Sequence, residues 1–212
     1  MKTDDLIKAL SADAATRQPT VAEQAMWALP IAIGISALLF SALLGVRADI
    51  ANVVSTWRFD AKIVLAALLA LTALGLAMRV VRPGADTSTA TMALAAVPLL
   101  LAASILVELM AMPPSTWMPR LIGFNARYCL TSIPVLSLAP LAALIWAMRN
   151  GAPESPARSG AIAGLVAGGI GAALYATHCT DDSPLFVAFW YSIAIAVTVG
   201  LGAVLGSRLL RW

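Results

Sequence analysis

The stretch that decides the fold is Met92–Met112, which reads MALAAVPLLLAASILVELMAM. Only Ser104 and Glu108 carry polar side chains within it. A helix needs about 20 mostly apolar residues to cross a bilayer. The stretch therefore predicts one membrane-spanning helix, with a carboxylate a few residues from its end.

The same pattern occurs five more times along the chain. The candidate spans are about Leu29–Val46, Ile63–Val81, Met92–Met112, Leu130–Met148, Gly160–Thr177 and Leu185–Gly206. The 212 residues are 60% hydrophobic and 12% charged, whereas a soluble domain is about half apolar and about a quarter charged. Alanine, leucine and glycine dominate the spans, which favours helices over barrel strands. The sequence predicts an all-α membrane protein with six transmembrane helices and a short cytoplasmic N-terminal amphipathic segment.

The basic residues predict the orientation, because Lys and Arg are enriched in cytoplasmic loops. Nine lie on the side of the termini: Lys2, Lys8, Arg17, Arg79, Arg82, Arg149, Arg158, Arg208 and Arg211. Five lie on the opposite side: Arg47, Arg58, Lys62, Arg120 and Arg127. We expect a multi-pass protein of a bacterial inner membrane with both termini in the cytoplasm. The net charge of +3 fits an anionic leaflet and does not indicate nucleic-acid binding.

The N-terminal segment does not resemble a cleavable signal peptide, because acidic residues are mixed with its basic ones and the first apolar run begins near Met26. We expect residues 1–26 to form a cytoplasmic tail and residues 27–212 a six-helix membrane domain. Asp4 or Asp5 can cap a short helix in which Leu6, Ile7 and Leu10 share one face. That face suits a partner protein or, alternatively, the bilayer surface. A second short turn is expected from Val21 to Trp27.

The only two cysteines, Cys129 and Cys179, each border a span and are expected on the same outward face. In an oxidising compartment such thiols can form a disulfide, undergo reversible oxidation or bind a soft metal ion. His178 adds a nitrogen ligand, so Cys129, Cys179 and His178 form a candidate site for transient metal binding. A permanent structural disulfide is the alternative. No resident cofactor is expected.

Glu108 is expected to pair with Arg120 or Arg127 near the outer interface, because an unpaired carboxylate is costly in a bilayer. A small transporter or ion-handling protein that uses Glu108, His178, Asp181 and Asp182 is a second functional hypothesis. Small residues four apart, such as Gly160, Gly164 and Gly168, allow close helix packing within the bundle or in a homodimer.

The sequence contains no Walker, Rossmann or nucleophile-elbow pattern. A thiol oxidoreductase is disfavoured because no CxxC pair is present. We therefore do not expect an enzyme.

Several runs resemble the NrsF family of bacterial membrane anti-sigma factors. They are the tail Lys2–Leu10, the run Arg127-Tyr128-Cys129 through Pro134 to Pro140, and the run His178-Cys179-Thr180-Asp181-Asp182-Ser183-Pro184-Leu185-Phe186 that ends in Trp190-Tyr191. The resemblance extends over the six spans and nearly the whole chain.

This resemblance implies that the tail binds an extracytoplasmic-function sigma factor, with Asp5, Leu6, Ile7 and Leu10 as contacts. It also implies that Cys129 and Cys179 sense heavy-metal or oxidative stress and that the sigma factor is released in response.

Overall fold

Six long helices form the molecule, and no strand occurs in the part of the chain that the structure describes. The computed structural model describes residues 3–5, 7, 11 and 19–211. The helices are α1 Val21–Leu43, α2 Trp57–Val80, α3 Ser88–Ala111, α4 Ala126–Met148, α5 Pro156–Ala176 and α6 Pro184–Leu209. Each is long and apolar enough to cross a membrane, so the predicted six-span fold is confirmed.

Short helical segments complete the connections. A single turn spans Ile50–Val53 between α1 and α2. A 3₁₀ turn at Pro114–Thr116 leads into a short helix, Trp117–Ile122, between α3 and α4. Within α6, the residues Val187–Tyr191 form a π-helical turn. Because the helices alternate in direction, one end of the bundle carries both cysteines (the cysteine end) and the other carries the termini (the terminal end).

The first helix begins earlier than the sequence pattern indicates. A capping box starts α1: Thr20 Oγ1 accepts a hydrogen bond from Glu23 N, and Glu23 Oε2 accepts one from Thr20 N. The predicted separate turn from Val21 to Trp27 is therefore wrong, because these residues form the first turns of α1. The helix also crosses the boundary that we expected between residues 26 and 27.

The central helix is α5, most of which is buried among its neighbours. Its glycines bring the backbones into contact, because a Cβ on Gly160 would clash with the Gly202 carbonyl of α6. On another side of α5, a Cβ on Gly169 would lie 2.8 Å from Ala70 N of α2. The predicted close packing of small residues thus occurs within the bundle. A homodimer stays a prediction.

Helix α3 lies at the edge of the bundle. It packs mainly against α2 and the first turn of α6, and only Ala90, Val97 and Glu108 are buried along it. Large apolar side chains such as Leu99 and Met110 are exposed on this helix. In a membrane such surfaces face lipid, which explains the continuous apolar pattern of its sequence.

We predict that Gly202→Ala destabilises the bundle, because the added methyl group collides with Gly160 O. This is a backbone atom, which cannot move aside as a flexible side chain can. Overpacking of this kind costs about 1–3 kcal/mol. The thermal unfolding midpoint in detergent should fall. Gly200→Ala, on the same helix with open space around it, should leave the midpoint unchanged or raise it. Equal midpoints for the two variants would contradict the proposed backbone contact.

Candidate functional site

Cys129 and Cys179 lie in one buried cluster at the cysteine end. Cys129 occupies the first turn of α4, and Cys179 follows the end of α5. Both are free thiols with no exposed surface, and they pack among aromatic side chains that include Tyr175, Phe186 and Tyr191. The structure therefore brings the two predicted thiols into one dry pocket of the core.

Two buried cations hold the backbone of Cys179. Lys62 Nζ on α2 lies 2.6 Å from the Cys179 carbonyl oxygen, and Arg47 Nη1 lies 3.1 Å from the same atom. Both also pair with Asp182, at 2.5 Å for Lys62 and 2.9 Å for Arg47. Lys62 is only 1% exposed. The carboxylate three residues after Cys179 thus provides the charge that allows these cations to be buried.

Arg47 connects this cluster to a second carboxylate. Its guanidinium donates to Asp49 at 2.7 Å. Hydrogen bonds to Asp49 and, to a smaller extent, to Asp182 raise the pKa of the Arg47 guanidinium above its usual range. The same hydrogen bond from Arg47 lowers the pKa of the Asp49 carboxyl. Arg47 and Asp49 therefore stabilise each other's charged forms.

Asp181 attaches the loop to the start of α4. Its Oδ2 accepts hydrogen bonds from the backbone amides of Phe124 at 3.0 Å and Asn125 at 2.8 Å, and from Asn125 Nδ2 at 2.9 Å. Cys129 N in turn donates to Asn125 O at 2.8 Å. The loop that carries Cys179 is thus bound to the helix that carries Cys129.

Glu108 is fully buried and forms a second charge cluster. It pairs with Arg120 at 2.8 Å, as the sequence predicts, and with Arg58 at 2.7 Å. Arg127, the other expected partner, forms no ion pair with a described residue. Ser183 Oγ lies 3.4 Å from Glu108 Oε1, which places this carboxylate against the same loop.

The ion-handling hypothesis gains no support from these contacts. It relies on Glu108, His178, Asp181 and Asp182, and each of these side chains already has a partner in the structure. Paired carboxylates with short hydrogen bonds stabilise the loop and do not form an open path for ions.

His178 contacts the backbone between α1 and α2. Its Nδ1 lies 2.9 Å from the carbonyl oxygen of Gly45. Among residues 3–5, 7, 11 and 19–211, no group of three or more His, Cys, Asp or Glu side chains is arranged to hold a metal ion. Metal binding by Cys129, Cys179 and His178 stays a prediction, and with Nδ1 held by Gly45 the imidazole would bind a metal through Nε2.

The expected contacts in the tail are only partly described. Asp5 and Ile7 are helical, and Ile7 is 58% exposed. Leu6 and Leu10 lie outside the described residues. An exposed isoleucine is available to a partner surface, which is compatible with the predicted contact face.

Sequence reasoning missed Lys62, Arg47 and Arg58 as parts of the site and counted them only as loop charges. Lys62 stands directly before the apolar run of the second span. A lysine at this boundary was the one sequence feature that could have indicated a buried cation. Its partner Asp182 is 120 residues away, and no local pattern connects the two.

We predict that Asp182→Asn strongly destabilises the cysteine end, because Lys62 loses its carboxylate and Arg47 keeps only Asp49. Breaking a buried pair costs about 3–5 kcal/mol. The thermal unfolding midpoint should fall, and Cys179 should react faster with a maleimide. Asp60→Asn removes an exposed carboxylate and should change neither readout.

A second substitution separates the charge effect from a general loss of packing. Adding Lys62→Met to Asp182→Asn removes the unpaired cation and should recover part of the stability. If Asp182→Asn behaves like Asp60→Asn, the cluster does not hold the loop.

Comparisons with known proteins place this chain in a family. Residues 10–212 match the NrsF family, which is described as negative regulator of sigma F. The probable anti-sigma-F factor NrsF of Azospira oryzae is 34% identical over 217 residues, and the anti-sigma-F factor NrsF of Caulobacter vibrioides is 34% identical over 215 residues. Each alignment covers 100% of both chains. No solved structure matches. The chain therefore belongs to the NrsF family of negative regulators of sigma F.

Proposed function

We propose that this protein is a membrane-held anti-sigma factor whose input is the thiol pair Cys129 and Cys179. Its tail binds an extracytoplasmic-function sigma factor, with Asp5, Leu6, Ile7 and Leu10 as contacts. The protein lies in the bacterial inner membrane with both termini in the cytoplasm, as the distribution of Lys and Arg favours. Family membership and the full-length similarity to two anti-sigma-F factors support the regulatory role.

The observation that carries the proposal is that Lys62 and Arg47 both donate to the carbonyl of Cys179. Any reaction that moves this residue must stretch two hydrogen bonds from buried cations. Charge-assisted hydrogen bonds are stronger than neutral ones. A change at one thiol therefore reaches α2, the α1–α2 connection and the loop together.

Oxidation is the first proposed inducing chemistry, since both sulfurs lie in one cluster. With hydrogen peroxide, each thiol loses its hydrogen, an S–S bond forms between Cys129 and Cys179, and two water molecules leave. Burial raises the pKa of the Cys179 thiol, an effect partly offset by the nearby Lys62. The protonated thiol then dominates at neutral pH. Because the thiolate is the reactive form, the resting protein is oxidised slowly. Binding of a soft metal ion at the same two sulfurs is a second proposed input.

The proposed route to the tail runs through α4 and α1. Cys129 lies on α4, and the buried Ser36 of α1 donates to Leu136 O of α4 at 2.7 Å. Helix α1 continues without interruption to Val21, where the chain leads back to the tail. A packed interface of this kind is bistable, so a shift of α4 repositions α1 and alters the presentation of the tail. The change must favour release by a few kcal/mol to move the population.

Replacement of both thiols tests the input. The double variant Cys129→Ser and Cys179→Ser should still insert and repress, yet transcription should no longer rise after peroxide or cadmium. Serine keeps the size of the side chain but forms neither a disulfide nor a soft-metal bond. Thr131→Ser, an exposed change on α4, should be induced like the wild type. A double variant that responds normally would exclude the thiol pair as the input.

Substitution in the tail tests the output. Ile7→Glu should lower capture of the sigma factor roughly tenfold, because burial of an isoleucine at an interface contributes about 1.5–3 kcal/mol. Thr3→Glu, an exposed position on the same segment, adds the same charge and should have little effect. The measurement is co-purification of the intact protein from its native membrane, with the bound protein identified. Unchanged recovery with Ile7→Glu would rule out this face.

A further inference from the structure

The terminal end contains a basic cavity that plays no part in the thiol site. It has a volume of about 120 Å³ and lies between the α2–α3 connection and the first turn of α5. Three arginines line it, Arg79, Arg82 and Arg158, together with Ser159 and a single carboxylate, Glu154. The volume suits a small anionic group and not a whole lipid or a peptide.

The three arginines of this cavity are exposed, and only part of their charge is compensated within the protein, by Glu154 and by the Asp86 carboxylate near Arg79. Among the described residues, Arg82 and Arg158 form no ion pair, and Arg79 donates to Asp86 O at 3.2 Å and Thr89 Oγ1 at 2.5 Å. The carboxylate of Glu154 accepts a hydrogen bond from Gly84 N at 3.1 Å. At the cysteine end, in contrast, the buried cations have carboxylate partners.

A serine hydroxyl also lines this cavity. Ser159 lines the cavity, is 2% exposed, and its hydroxyl donates no hydrogen bond to a described residue. The neighbouring start of α5 has no side-chain cap, since Ser155 accepts none of its free amides. Unused donors and guanidinium groups around one small space are the chemistry that binds an oxyanion.

The position of the cavity identifies the source of the anion. It lies where α2 ends and where α3 and α5 begin, all three being membrane-spanning helices. Lipid headgroups occupy this depth, and basic pockets between spanning helices bind anionic headgroups. We propose that the cavity binds the phosphate of an anionic phospholipid, with Arg82 and Arg158 as ion-pair partners and Ser159 as a hydrogen-bond donor.

The test measures lipid retained by the full-length protein. Purified protein is equilibrated with mixed phosphatidylglycerol and phosphatidylcholine, and the bound lipid is identified by native mass spectrometry. The wild type should retain phosphatidylglycerol in preference to phosphatidylcholine. Arg82→Gln with Arg158→Gln should weaken that retention by about tenfold or more, because each arginine near a headgroup contributes about 1 kcal/mol.

A matched control distinguishes a site from general attraction. Arg149→Gln with Arg208→Gln removes two exposed arginines from the same end, outside the cavity, and should leave the preference intact. Equal losses in the two double variants would show diffuse attraction and overturn the proposal. Displacement of the lipid by millimolar inorganic phosphate would assign the cavity to the free ion instead.

One outcome would assign the cavity to a protein. If Arg82→Gln with Arg158→Gln reduces capture of the sigma factor while lipid retention stays unchanged, the arginines bind an acidic protein surface and the lipid proposal fails. The lipid readout does not depend on the thiol sensor, so failure of either proposal leaves the other to be judged on its own data.

Discussion

The interaction on which the cysteine end depends is the pairing of Asp182 with Lys62 and Arg47. Without this carboxylate, Lys62 would place an ammonium group inside an apolar bundle, at a cost of several kcal/mol. When Lys62 and Arg47 pair with Asp182, each still has N–H groups that can donate, and both donate to the Cys179 carbonyl oxygen. One carboxylate thus fixes the start of α2, the α1–α2 connection and the loop after α5. This arrangement holds the backbone of Cys179 at the cluster in which both thiols are buried.

Charged side chains are paired inside the protein at the cysteine end and remain exposed at the terminal end. At the cysteine end, Asp182 and Glu108 each pair with two cations inside the protein. At the terminal end, Arg82 and Arg158 remain available to solvent or lipid. A membrane protein can bury charge where loops fold over the helix ends, and it can leave charge free where an anionic surface compensates it. The charged groups of the cysteine end thus form an internal site, whereas those of the terminal end lie at the protein surface.

Local sequence patterns were sufficient to predict the membrane spans but not the network of ion pairs at the cysteine end. Hydropathy located all six helices because bilayer thickness sets a length that composition must satisfy. It placed the start of α1 too late, since Glu23 and Gln24 lower the hydropathy of a turn that the Thr20 capping box nevertheless makes helical. Glu108 and Arg120 could be paired because they lie 12 residues apart on adjoining segments. Lys62 and Asp182 could not, because only the tertiary fold brings them together.

His178 and Cys179 are adjacent in sequence but contact different parts of the structure. Neighbouring residues in a loop point in different directions, so His178 reaches Gly45 while Cys179 turns into the core. This difference bears on the two proposed inputs. A metal ion that binds both sulfurs and the imidazole must displace a loop that Asp181 and Asp182 hold on two sides, because no such ligand group is preformed among the described residues. An oxidant, in contrast, needs only the two sulfurs, which already lie in one buried cluster. In the proposed switch the ion pairs that hold the loop therefore oppose either input, and a disulfide requires fewer side chains to come together than a metal site of two thiols and an imidazole does.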